Sequence, residues 1–74
     1  MVNTKLLQEK IDKSGLKESY IAEQKLCISY QAYFNKKTNQ SSFKEIEINV
    51  LCDMLGIQDE ETRKAIFYAD DVEQ

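Results

Sequence analysis

Only Gly15 and Gly56, in a chain of 74 residues without proline, can take a left-handed backbone at no steric cost. A sandwich or barrel of short strands needs many turns, and turns draw on glycine and proline. Two glycines suit helices joined by tight corners instead. The expected class is all-α: one compact four- to five-helix domain spanning residues 1–74.

The apolar residues agree, because they recur at helical spacing. Asn3 is the expected N-cap of a first helix reaching Ser14, with Leu7 and Ile11 four apart and Leu6 beside them. Gly15 ends it. A second helix is expected over Glu18 to Lys25, with Ile21, Ala22 and Lys25 near one stripe and Leu26 extending it. Ser29 caps a third, Tyr30 to Lys37, and the polar run Thr38-Asn39-Gln40-Ser41-Ser42 breaks the chain. The fourth, Lys44 to Leu55, carries a face of Ile48, Leu51, Cys52 and Leu55. Gly56 closes it and Ile57 packs back. Asp59 caps a fifth helix, Glu60 to Ala69, whose Ala65, Ile66 and Ala69 are expected to face the core. The tail from Asp70 to Gln74 is expected to fray. Tyr33, Phe34 and Phe43 are expected in the core, and one of Phe67 and Tyr68 partly outside it.

Several classes of function find no support. There is no histidine, no glycine-rich phosphate loop and no Cys/His metal spacing, so an enzyme is not expected and no cofactor or metal is implied. Cys27 and Cys52 are too few for a disulfide scaffold, and reduced thiols are the simpler reading. No apolar run approaches the ~20 residues of a membrane span, and the start of the chain lacks a signal peptide's apolar core. The expected setting is cytoplasmic, with neither a membrane nor a small-molecule substrate as partner.

The net charge of −3 argues at first against nucleic acid. Its distribution is uneven. In residues 1–44, eight lysines against four carboxylates leave +4; in residues 45–74, two cations against nine carboxylates leave −7. A polyanion responds to the local field of the nearer face. Two ordinary solvated surfaces would give the same count.

The segment from Lys17 to Asn39 narrows the reading. Ile21-Ala22-Glu23, then Leu26-Cys27-Ile28-Ser29, then Tyr33 form a pattern. A small alanine lets the second and third helices cross closely, Ile28 and Tyr33 pin the third helix, and Ser29 caps it. This pattern resembles the helix-turn-helix of phage repressor and Cro-type regulators. Leu-Leu-Gln-Glu-Lys-Ile near the start, Ser-Phe-Lys-Glu before the fourth helix and Leu-Cys-Asp-Met-Leu-Gly-Ile within and after it look like the small Cro-like proteins encoded by phages of Gram-positive bacteria. The resemblance implies a lambda-repressor-like fold, with the helix-turn-helix at about Glu18 to Lys37. It also implies transcriptional regulation in a bacterial host cell through operator DNA, with a homodimer on paired half-sites.

By that resemblance Tyr30, Gln31 and Asn35 face base edges. Lys36, Lys37, Thr38 and Asn39 follow as phosphate contacts, and Lys17 and Ser19 anchor a phosphate at the start of the second helix. A polar helix face in water remains the plainer reading of the same residues. The rival function is a protein-interaction module, a modulator or anti-repressor using the same fold. Two departures bear on docking. Ala22 and Ile28 are six apart where the pattern has five, and Cys27 stands where it has glycine. One extra residue turns a helix by about 100°. It has to be absorbed by a longer corner or by a bulge near Gln24-Lys25-Leu26. The expectation is a longer corner, which would also relieve Cys27 of a positive φ.

Overall fold

Five helices and no strand make up the described part, residues 1–69, of the computed structural model. They are α1 (Thr4–Ser14), α2 (Glu18–Tyr20, running on as a π-helical stretch Ile21–Lys25), α3 (Tyr30–Lys37), α4 (Glu45–Leu55) and α5 (Glu60–Phe67). The expected fraying tail lies outside the described residues. No described helix is long and apolar enough to cross a membrane. The radius of gyration, 11.4 Å, is close to the roughly 11 Å of a well-packed chain this long.

Local chemistry sets the helix ends. The Asn3 side chain accepts from Leu6 N (3.1 Å), Ser29 Oγ from Ala32 N (3.1 Å) and Asp59 Oδ2 from Thr62 N (2.9 Å). Each satisfies a backbone N–H that the first turn leaves unpaired. At the start of α4 the Glu47 carboxylate reaches back to Lys44 N at 2.8 Å. Gly15 (φ 75°) and Gly56 (φ 73°) close α1 and α4 in the left-handed region, as their positions in the sequence suggested.

The core gathers one face from every helix. Leu7, Ile21, Ala22, Tyr33, Leu51 and Ile66 are wholly buried, and Ile11, Ile48, Cys52, Ile57 and Phe67 nearly so. Phe43 is half-buried and meets Phe67 edge-on, ring centroids 6.0 Å apart. Three expectations are corrected. Phe34 is 43% exposed, because Tyr33 and Lys37, four apart, already occupy the inward stripe of α3. Ala65 and Ala69, expected to face the core, are only half-buried; of the two aromatics beside them Phe67 is buried and Tyr68 half-buried, as expected. Finally, α5 stops at Phe67, because Ala69 N leaves the helix to donate to Met1 O (2.9 Å).

The N-terminal segment is sewn down at both sides. Asn3 N donates to Ile66 O (2.7 Å). The Asn39 side chain accepts from Val2 N (2.8 Å) and donates to Val2 O (3.0 Å), a two-bond clamp that buries Val2. This ties the loop after α3 to α1 and α5.

The extra residue between Ala22 and Ile28 is taken up inside the second helix. Leu26 N bonds to Ile21 O at 2.9 Å, a five-residue step, in place of the α-helical four. The wider turn brings Ile21 and Leu26 to the same buried side. In an α-helix, five residues at about 100° each would set them well apart. The connection to α3 is then the four residues Leu26 to Ser29, an ordinary length for such a corner. The longer corner is therefore corrected to a π-helical bulge. Cys27 gains no relief: its φ is 57°, in the left-handed region a glycine would occupy more cheaply. The distortion is held by Ile28 N donating to Ala22 O at 3.0 Å.

Candidate functional site

One side of α3 is fastened to the rest of the molecule by a polar cluster under its C-terminal half. The buried Tyr33 hydroxyl donates to Glu18 Oε1 (2.8 Å). The Lys37 ammonium pairs with the same oxygen and donates to Gln8 Oε1 (2.7 Å), and Gln8 Nε2 donates to Glu18 Oε2 (3.2 Å). Three helices, α1, α2 and α3, meet at this carboxylate. Burial alone would raise the Glu18 pKa, but the hydrogen bonds from Lys37, Tyr33 and Gln8 together outweigh it and hold the carboxyl below its ordinary value. Burial, and then the adjoining carboxylate, push the Tyr33 phenol up, so it stays a donor. Lys37 also lies 5.6 Å from the Tyr33 ring centre and 5.9 Å from that of Phe34.

A second pair fastens α3 to α4. Lys36 Nζ meets Glu47 Oε1 at 2.9 Å, and that oxygen also accepts Lys44 N. Burial opposes ionisation of Glu47 here too. The Lys44 backbone bond and the Lys36 ammonium reverse it and leave the carboxyl below its ordinary value.

The other side of α3 is more open, with Tyr30, Gln31 and Phe34 exposed and Asn35 half-buried. Tyr30 and Phe34, four apart, are each 43% exposed and lie nearly parallel, ring centroids 6.5 Å apart. Gln31 and Asn35, also four apart, form the next stripe, about 100° round the helix. Gln31 Nε2 donates to Asn35 Oδ1 at 3.0 Å. Thus Tyr30, Gln31 and Asn35, the residues singled out for base contact, do share one outward face, and Phe34 joins them. The helical register held a clue to Phe34: it follows Tyr30 by four residues on a helix whose inward stripe Tyr33 defines.

The residues singled out for phosphate divide. Lys17 and Ser19 are exposed at the start of α2, and Lys25 is exposed at the end of its π-helical stretch, 5.7 Å from the Tyr20 ring centre. Lys36 and Lys37 point the other way, onto Glu47 and Glu18. Lys37 is only 8% exposed, and reaching a phosphate would deprive the Glu18 carboxylate of its cation. Asn39 is likewise occupied by Val2, and Thr38 donates its hydroxyl to Phe34 O (2.8 Å) at the end of α3. Lys44, at the N-cap of α4, is exposed; neither it nor Lys17 nor Lys25 enters an ion pair among the described residues. Nothing local in the sequence pairs Lys37 with Glu18, nineteen positions earlier.

Comparison with known protein families, with curated proteins and with solved structures finds no match to this chain.

Proposed function

We propose that this chain is a sequence-specific DNA-binding regulator of the phage repressor and Cro type, with α2 and α3 as a lambda-repressor-like helix-turn-helix. The observation that carries the reading is the two-sidedness of α3. One side is locked by the Ser29 cap, the buried Tyr33 and the Glu18 cluster, while the side bearing Tyr30, Gln31, Phe34 and the half-buried Asn35 is the more open one. A helix that is rigidly held and presents amide side chains outward fits a major groove, where asparagine and glutamine bond adenine in two places. Ala22, wholly buried at the crossing, and the four-residue corner keep α2 close behind it. Lys17 and Ser19 at the start of α2, with Lys25 and Lys44, supply exposed groups for phosphate. A homodimer on paired half-sites belongs to the same proposal.

The inward turn of Lys36 and Lys37, together with the exposed Tyr20, Tyr30 and Phe34, favours a second reading, an interaction module for another protein. One titration separates the two. The full chain is mixed at low salt with duplex from the promoter region next to its own gene, and with a scrambled duplex. A shifted band confined to the promoter duplex supports the DNA reading, and no shift on either sinks it.

A further inference from the structure

We infer that the outward face of α3 reads A·T base pairs, with Gln31 and Asn35 on the adenine and Tyr30 and Phe34 against thymine C5-methyl groups. This rests on the DNA-binding reading above and deepens it.

The argument begins with hydrogen-bond capacity. The bond from Gln31 Nε2 to Asn35 Oδ1 leaves the Gln31 carbonyl oxygen and the Asn35 amide N–H groups unspent. That is an acceptor beside donors. Adenine presents N6–H₂, a donor, beside N7, an acceptor, and matches it. Guanine presents two acceptors, O6 and N7, and would set an oxygen against the Gln31 oxygen. The side chains that read guanine best are arginine and lysine. No arginine lies in residues 1–62, and the two lysines of α3 are held inward on Glu47 and Glu18.

The aromatic stripe completes the pattern. Tyr30 and Phe34 are stacked beside the amide stripe and are each 43% exposed. In the major groove the thymine methyl is the one apolar group, and it belongs to the same base pair as the adenine edge. Two parallel stripes, one of amides and one of rings, thus complement the two halves of one A·T step. The exposed Lys17 and Lys25 on α2 give the charge complementarity that a phosphate backbone requires.

The test is a selection of the full chain against a duplex pool with about 20 randomised base pairs, a span that covers two half-sites one helical turn apart. The expected result is enrichment of sites with an A·T core. In the winning duplex, each contacted thymine is then replaced by deoxyuridine, which deletes the methyl and alters nothing on the protein. Losing one buried methyl should weaken binding about fourfold. F34A should lose the thymine preference at one contacted position and keep it at the one facing Tyr30, with its melting temperature checked alongside, and F34L should restore part of the lost preference. Enrichment of G·C cores, or equal binding of thymine and uracil duplexes by the parent chain, overturns the inference while leaving DNA binding intact. A pool from which nothing is enriched overturns the DNA reading and this inference with it.

Discussion

Glu18→Gln tests whether α3 is held by the cluster beneath it. The substitution keeps an oxygen for the Tyr33 hydroxyl and for Lys37 but removes the charge, leaving the ammonium of the buried Lys37 with neutral partners. Removing one member of a fully buried ion pair costs about 3–5 kcal/mol, and of an exposed pair about 0–1 kcal/mol. The Glu18 side chain is 25% exposed and that of Lys37 10%, so the pair lies between these limits. Since glutamine retains the acceptor, the expected loss is about 2 kcal/mol, or roughly 8–16 °C in melting temperature for a domain of this size. Urea and thermal melts of E18Q, K37M and the double variant form the cycle. The double variant should be less destabilised than the two singles added together, because no charge is left stranded. The pH dependence follows from the sign of the shift. Glu18 titrates lower in the folded chain than its ordinary 4.5, so its contribution is present above that value and fades as pH falls through the folded one. The gap between parent and E18Q should therefore narrow below about pH 4. A gap that is flat from pH 7 to pH 3, or E18Q within about 0.5 kcal/mol of the parent at pH 7, would refute the account.

Gln31→Ala or Asn35→Ala should weaken operator binding by about 1–3 kcal/mol with little change in melting temperature, measured by titration against operator and scrambled duplexes; an unchanged operator preference would move the reading face elsewhere. With Lys17, Lys25 and Lys44 as the exposed lysines near the motif, the log–log salt slope of DNA binding should be about −3 per monomer, and K17A should make it shallower by about 1; a flat salt response contradicts this. Deleting Gln24 should convert the π-helical stretch to α-helix, with Leu26 four residues from Ile21 and on the same side, and keep the fold, seen as slower amide exchange at Leu26; an unfolded deletion variant would show that phase alone does not explain the wider turn.

The sequence yielded what depends on near neighbours. Asn3, Ser29 and Asp59 cap because a short oxygen-bearing side chain stands immediately before a helical run, and Gly15 and Gly56 end helices for an equally local reason. It withheld what depends on distant partners. Lys36 and Lys37 look like a basic helix end until Glu47 and Glu18 are folded against them, 11 and 19 positions away. Asn39 looks like a loop residue until Val2 arrives, 37 positions away. The six-residue step from Ala22 to Ile28 was visible, but the place of its absorption was not. A longer corner and a π-helical turn both restore the phase of α3, and the choice rests on Leu26, which only the wider turn brings to the same buried side as Ile21.

That division changes the energetics of the proposed function. Read from the sequence, the α3 end offered two lysines to phosphate, and affinity would have come largely from counterion release, which is blind to base identity. In the folded chain both ammonium groups are spent on holding α3 in place. What faces outward is a pair of amides and a pair of rings, groups whose interactions depend on which base they meet. A regulator built this way draws its non-specific attraction from Lys17, Lys25 and Lys44, away from α3, and its discrimination rests on the geometry of α3. Loosening Glu18 should therefore erode operator preference as well as stability: E18Q, still folded at 15 °C, is expected to lose more affinity for operator than for scrambled duplex. Equal losses on the two duplexes would mean that the cluster stabilises the fold without orienting the reading face.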